Sequence, residues 1–386
     1  MSEVKIDNPR AEIDAIDGEL LRLLNKRAEI ALRVGAAKTI VDTSLCDPVR
    51  EREVLERMRA ENPGPFDEQG IDSIFRRIID ESLRLQQAAY GRSLADAAET
   101  DPRAAIVGGR ARVAFLGERG TFSEEAALSL LGDESETVSM PTFEELFAAV
   151  ENGKADYILT PLENSLIGSV HRCVDLLLQS SLNIVAEVIL PVSHYLVACE
   201  GATIDSITTV ESHPAALAQC TRFFAEHPGI KRVPADDTAG SVRRAVESGD
   251  ITRAGIGGRR TAEIYGGRII AEHLEDNREN YTRFALLSAI ADDSGTGTKI
   301  SLVMRLRNQP GSLHGALRPF VRRGIDLLKI ESLPIRESPE EYNFYLDVLV
   351  PANPGEMAGA LDEVRVLAVD VRVLGQYSST KLEPAH

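Results

Sequence analysis

The spacing of apolar residues changes twice along this chain of 386 residues, which excludes a single continuous fold. From Arg10 to Lys38 the pattern is helical, and on a heptad frame its seam reads Arg10, Ile13, Asp17, Leu20, Leu24, Arg27, Ala31, Val34, Lys38. A second helix is predicted from "DPVREREVLERM", with Asp47 as N-cap and Pro48 at the first helical position, and a third over about Ile71–Tyr90. From Arg112 short β-type runs ("RVAFLG", "DYILTP", "SITTVES", "RAGIGG") alternate with helical ones, which predicts an α/β domain with largely parallel sheets. Beyond the breaker-rich "DDSGTGT" the order becomes strand, helix, strand, strand, helix, strand, as in ferredoxin-like folds. The expected organisation is therefore multidomain: an all-helical domain over 1–92, a linker over 93–110, an α/β domain over 111–290 and a βαββαβ domain over 298–386.

Charge restricts the partners. Lys and Arg total 43 against 60 Asp and Glu, a formal net charge of −17, so the overall field repels nucleic acid and anionic membrane. An anionic metabolite must find a local cationic pocket. No apolar h-region opens the chain and no 18 apolar residues run together, which predicts a soluble, cytoplasmic protein. Cys46, Cys173, Cys199 and Cys220 are far apart and lack metal-ligand spacing, so reduced structural thiols are expected, with neither metal nor cofactor.

The helical segment holds cations where a core would be. Arg27 and Lys38 lie 11 residues apart, about three turns, so both leave one face and could converge on a small dianion; snorkelling at a helix edge is the plainer reading. Arg10 faces the same way but about 25 Å further along a straight helix, so a second protomer would have to bring it to a comparable site. Ser82 and Gln86 end an apolar stripe on the third helix.

With "KRAEIALRVGAAK", "DPVRERE" and "IIDESLRLQQ", the segment resembles the all-helical chorismate mutases, which are intertwined dimers. That resemblance implies rearrangement of chorismate to prephenate, a pericyclic step needing only a compact conformer and stabilised charge on the ether oxygen. It gives Arg10 (from the partner chain), Arg27 and Arg50 the two carboxylates, and Lys38 and Gln86 the ether oxygen. Glu51 and Asp47 fall near the ring hydroxyl, with Ser82 among the binding groups.

In the middle segment "RVAFLGERGTFSEEAA" reads strand, Gly-bearing loop, helix, with Thr121 and Glu124 spaced as a capping box. "PLENSLIG" puts Asn164 and Ser165 after a strand, "ESHPAALAQC" puts Ser212 before a helix that carries Gln219, and "NRENYTRF" surrounds Thr282 and Arg283 with polar groups. Such positions at strand ends are where α/β sites form. His213 invites a general-base reading, but beside Pro214 at a helix start a structural role is equally open, and it is left out of catalysis.

The series "GTFS", "ENS", "ESHPAALAQC", "DDTAGS", "GIGG", "YTRF" resembles the catalytic domain of prephenate dehydratases, a two-lobed fold like type 2 periplasmic binding proteins. The implied chemistry removes the ring hydroxyl and ring carboxylate of prephenate together. By this resemblance Thr282 donates to the departing hydroxyl and Arg283 binds an anion. Asn164, Ser165, Ser212 and Gln219 surround the substrate, and Thr121 and Ser123 hold a carboxylate.

"RNQPGSLHGAL" and "KIESLP" within the βαββαβ order resemble an ACT regulatory domain, which pairs across subunits and binds phenylalanine through Asn308, Gly311, Leu313, Glu331 and Ser332. Two departures stand out: "GSLH" replaces the usual Gly-Ala-Leu-Val, and "ESLP" has Leu333 where the family carries arginine. Together these resemblances imply a homodimer or homotetramer of phenylalanine biosynthesis with chorismate and prephenate as substrates. Two rival readings stay open: a dehydratase acting on arogenate, and a non-catalytic metabolite sensor.

Overall fold

A computed structural model describes residues 9–40, 48–90, 111–291, 296–335, 338 and 340–382. Three helices open it: α1 (Pro9–Ile40), α2 (Pro48–Glu61) and α3 (Glu68–Tyr90). The third begins three residues before its apolar pattern because the Asp67 carboxylate accepts from Gly70 N at 2.7 Å and caps it. Leu55, Ile79 and Leu83 form a small core, with Val54 and Phe75 packed on it, and Arg59 grips Asp72 through two 2.6 Å bonds to tie α2 to α3. The apolar stripe of α1 has no such cover: Ile13, Ile16, Leu20, Leu21 and Leu24 are between 41% and 61% exposed.

The middle segment forms two lobes. β1 (Arg112–Leu116), α4 (Phe122–Leu131), β2 (Glu136–Met140), α5 (Phe143–Ala148), β3 (Tyr157–Asn164), β4 (Gly168–Ser169), α6 (His171–Gln179) and β5 (Asn183–Pro191) make the first. β6 (Tyr195–Ala198), β7 (Thr209–Ser212), α7 (Pro214–Ala218), α8 (Thr221–Glu226), β8 (Lys231–Pro234), α9 (Thr238–Glu247), β9 (Arg253–Gly257), α10 (Arg259–Tyr265) and β10 (Arg268–Ala271) make the second, after which β11 (Tyr281–Ser288) returns to the first. The remainder is β12 (Lys299–Arg307), α11 (Ser312–Arg322), β13 (Leu327–Pro334), β14 (Glu341–Leu349), α12 (Pro354–Leu367), β15 (Asp370–Tyr377) and β16 (Ser379–Lys381).

The first-lobe sheet runs β16-β5-β11-β3-β1-β2 with β4 beside β3, the second β10-β6-β9-β7-β8, and the third β13-β14-β12-β15. The two lobe sheets are mixed rather than largely parallel. β11 is antiparallel to both β3 and β5, and β6 to both β9 and β10. Chain that leaves a lobe and returns to it re-enters running the other way, which alternation of strand and helix signals alone does not reveal. Residues 1–98 with 302–372 form one compact unit, and 99–301 with 373–386 the other. Cys173, Cys199 and Cys220 are buried without disulfide partners, and burial pushes the Cys173 and Cys220 thiols up to about 12, so both stay protonated and inert. Cys46 lies outside the described residues. No described helix is long and apolar enough to cross a membrane.

The loop after β1 fastens the lobes together. Thr261 Oγ1 donates to Gly120 O at 2.7 Å, Tyr265 Oη donates to Arg119 O at 3.1 Å, and Arg243 on α9 holds Glu118 through bonds of 2.7 and 2.9 Å. Gly120 sits at φ 88°, where a Cβ would come within 3.0 Å of Thr261 Cα, so only glycine lets the lobes approach this closely. The guanidinium of Arg243 keeps the Glu118 carboxyl below the ordinary carboxylate range.

A carboxylate whose folded pKa is depressed stabilises fully above its unfolded pKa, and that contribution is lost as pH falls through the folded value. For this partly exposed pair we expect Glu118→Gln to lower Tm at pH 7 by about 2–4 °C, the equivalent of about 1 kcal/mol. The deficit should shrink as pH falls below about 4, since wild type then loses the same ion pair. Thermal scans at both pH values check this, and an equal deficit at each would refute it.

Candidate active sites

The first site lies among α1, α2 and α3, around a cavity of about 420 Å³. Five of the residues expected there line it: Arg27, Arg50, Glu51, Ser82 and Gln86. Arg27 Nη1 donates to Ser82 Oγ and, at 3.4 Å, to Ile78 O, while Ser82 Oγ itself donates to Ile78 O at 2.7 Å. Gln86 Nε2 donates to Ala31 O, so the polar end of the α3 stripe cross-links α3 to α1 and aims the arginine. Burial lowers the Arg27 pKa from its ordinary value, which still leaves a guanidinium charged near neutrality. The remaining wall is largely apolar, with Ile30, Val34, Val54 and Phe75. A cationic end and an apolar wall suit a compact dianion with a carbon ring.

Other expected members are placed differently. Arg10 is exposed near the start of α1 and does not line this cavity. Lys38 falls on α1, with its side chain outside the description, and Asp47 lies outside the described residues. Arg57, which the sequence reading passed over as one charge among many in "REREVLERMR", lines the cavity one helical repeat beyond Arg50.

The second site lies within the two-lobed unit. β3 and β11 are paired so that Asn164 stands opposite Thr282, and Asn164 Nδ2 donates to Thr282 Oγ1 at 3.0 Å. The same amide reaches Asn280 Oδ1 at 2.9 Å, and Asn280 Nδ2 donates to Gln219 Oε1 at 3.0 Å. Gln219 Oε1 also meets His194 Nε2 at 2.8 Å. Because Gln219 Oε1 accepts from Asn280, His194 carries its proton on Nε2; burial holds the imidazole pKa low, so it is neutral. A relay of neutral amides thus runs from one lobe to the other. Thr282 Oγ1 accepts from Asn164 and donates to no hydrogen-bond partner among the described residues. At the other end of the relay Gln219 lines a cavity of about 420 Å³ together with Leu166, Ile167, Ala215, Ala218, Asp276 and Asn277; Thr282 is not among its lining residues.

Ser165 staples the loop after β3 to the start of β11: its Oγ donates to Glu279 O and accepts from Tyr281 N, both at 3.0 Å. Thr121 caps α4, accepting from Glu124 N at 3.5 Å, and Ser123 is buried in the first turn. Glu124 departs from the simple capping box, taking the amide of Gly120 at 2.7 Å, so one loop amide expected to be open to a substrate carboxylate is filled by the chain's own. His213 caps α7 through Nδ1, the structural one of its two readings.

Two expectations need correction. Arg283 follows Thr282 in the strand, so it points to the opposite face, where Glu187 holds its Nε and Tyr377 Oη lies 3.3 Å from Nη2. It is a buried ion-pair partner rather than an anion receptor in the cleft. Ser212 has no exposed surface and donates to Ile256 O at 2.7 Å, tying β7 to β9. Asn280 and His194 are the members that sequence reasoning missed; the amide was visible inside "NRENYTRF", whereas a lone histidine at 194 carried no signal.

In the C-terminal segment Gly311 adopts φ 85° ahead of α11, Asn308 N donates to Glu340 O at 2.7 Å, and Leu313 is half-buried in the first turn. On the edge strand β13, Glu331 pairs with Lys329 at 3.3 Å and Ser332 is exposed. Leu333 is buried and offers no cation to a ligand.

Known proteins match both segments. The family profile described as chorismate mutase type II matches residues 9–87, and that described as prephenate dehydratase matches 113–291. A bifunctional chorismate mutase/prephenate dehydratase from Neisseria gonorrhoeae is 33% identical over 374 residues, covering 97% of each chain, and one from Aquifex aeolicus is 32% identical over 381 residues, covering 97% of this chain and 98% of that one. Among solved structures, a prephenate dehydratase in complex with L-Phe from Arthrobacter aurescens superposes with a TM-score of 0.63 at 30% identity, covering 69% of this chain and 89% of that one. With both profiles in order on one chain and relatives alike over nearly its whole length, this chain belongs to the family of bifunctional chorismate mutase/prephenate dehydratases.

Proposed function

We propose that this protein rearranges chorismate to prephenate in the helical pocket and converts prephenate to phenylpyruvate, water and CO2 in the two-lobed cleft. The observation that carries the reading is the Asn164–Thr282 hydrogen bond, which leaves the threonine proton uncommitted among the described residues, in a relay that runs through Asn280 to Gln219 at the wall of a cavity. An alcohol is a weak acid, but a hydroxyl whose oxygen already accepts a hydrogen bond donates more strongly. As the ring carboxylate departs as CO2, its bonding pair enters the ring and expels the hydroxyl, which takes one proton to leave as water. Thr282 meets that developing charge with its O–H, and neutral His194, Gln219, Asn280 and Asn164 hold it in place.

In the mutase pocket no proton moves. Arg27, Arg50 and Arg57 offer charge to carboxylates, Gln86 with Lys38 serves the ether oxygen, and Glu51 with Asp47 the ring hydroxyl region. The exposed apolar stripe of α1 supports a dimer in which the partner subunit's Arg10 completes each pocket. The βαββαβ segment has a ferredoxin-like strand order, which supports reading it as an ACT domain, and we assign its loop at 308–313 with Glu331 and Ser332 to phenylalanine. Exposed Leu328 and Ile330 on edge strand β13 give that domain a face for pairing.

Purified protein given chorismate at mildly alkaline pH, where prephenate does not decompose unaided, should yield phenylpyruvate, and less of it when phenylalanine is added. Prephenate accumulating instead would point to arogenate as the second substrate, and unchanged chorismate would overturn the mutase reading. Thr282→Ala should lower dehydratase kcat by about a hundredfold or more, within the range of a positioned proton donor, with mutase turnover intact. Thr282→Ser should recover most of that loss. Conversely, Arg27→Lys, which removes the planar fork that binds Ser82 and a carboxylate together, should cut mutase kcat/KM by at least about tenfold and spare the dehydratase. Equal loss of both activities in either variant would sink the assignment.

A further inference from the structure

One side chain of the mutase pocket is held from outside the helical segment. Glu51, in the first turn of α2, lines the pocket and is gripped by Arg322 of α11, more than 200 residues away in sequence but in the same compact unit. The Arg322 side chain is 8% exposed and that of Glu51 16%. Arg322 Nε also lies 3.1 Å from Asp80 of α3, and Arg318, one turn earlier on α11, binds Asp80 with contacts of 2.8, 3.0 and 3.1 Å.

The sequence of α11 explains why these arginines face the mutase helices. Ala316, Pro319 and Phe320 are buried, whereas Arg318 and Arg322 stand at i,i+4 on another stripe. Arg323 turns to α12, reaching Glu363 at 2.6 Å and Glu356 at 3.5 Å, and Arg322 Nη1 lies 3.7 Å from the same Glu363. The division of labour matters: Arg318 bonds Asp80, which does not line the pocket, while Arg322 reaches Glu51, which does. A carboxylate this enclosed is costly to bury without a counter-charge, and Arg322 supplies one.

We propose that Arg322 is a positioning residue of the mutase site: the βαββαβ segment supplies the guanidinium that fixes the Glu51 carboxylate at the pocket wall, where the reading above places the ring hydroxyl of chorismate. This rests on the mutase reading above. Mutase activity then depends on a side chain that lies outside the mutase segment and touches no substrate.

The test uses the full-length protein and initial rates with chorismate and, separately, prephenate. Arg322→Met keeps the aliphatic stem but loses the charge, and should raise the mutase KM about tenfold while kcat changes less and the dehydratase constants stay at wild-type values. Arg322→Lys should recover part of that KM. Arg318→Met, which weakens the same contact between segments without touching Glu51, should leave the mutase KM within about twofold of wild type. A wild-type KM in Arg322→Met, or an equal rise in Arg318→Met, would overturn the proposal. Should Arg322→Met fold poorly, its dehydratase rate falls too, and Arg322→Lys against Arg318→Met decides the matter. A wild-type protein inert to chorismate would refute the mutase reading instead.

Discussion

Glu187 sits in the first-lobe sheet with 1% of its surface exposed, and a charge so placed is tolerable only if cations meet it. Arg283 on β11 and Lys299 at the start of β12 both do, the latter at 2.9 and 3.0 Å. The pairing holds β11 in one register against β5. A slip of one residue would carry Arg283 to the cleft face and Thr282 to the interior. The position of the Thr282 hydroxyl thus depends on an ion pair on the far side of its own strand.

The two sites answer different electrostatic demands with different chemistry. The helical pocket supplies guanidiniums on an apolar wall, which suits a charged dianion held compactly without proton transfer. The two-lobed unit supplies a relay of neutral amides and a neutral imidazole, which suits a step that needs oriented hydrogen bonds. With a net charge of −17 overall, an anionic substrate gains its attraction only at close range, within the pockets themselves.

Local features were the legible ones. The helices of the first segment, the strand-loop-helix at Thr121, the βαββαβ order and the pocket group of Arg27, Arg50, Glu51, Ser82 and Gln86 follow from periodicity, capping and motif. What sequence concealed was set by pairing between distant segments. Arg283 read as an anion receptor because its buried partner, Glu187, lies 96 residues earlier, although strand alternation already separates it from Thr282. His194 looked isolated because its partner Gln219 approaches only through the second-lobe fold, and the grip of Arg322 on Glu51 joins the beginning of the chain to its end.

The strand β16 carries a further consequence. Its residues Ser379–Lys381 lie parallel to β5 and complete the edge of the first-lobe sheet, whose other strands were made nearly a hundred residues earlier or more. The first-lobe sheet therefore stays incomplete until the βαββαβ segment has been made, and during synthesis β5 waits with one row of backbone hydrogen-bonding groups open. A chain cut before that segment would keep the edge permanently, so the βαββαβ segment also protects the first-lobe sheet from pairing with its neighbours.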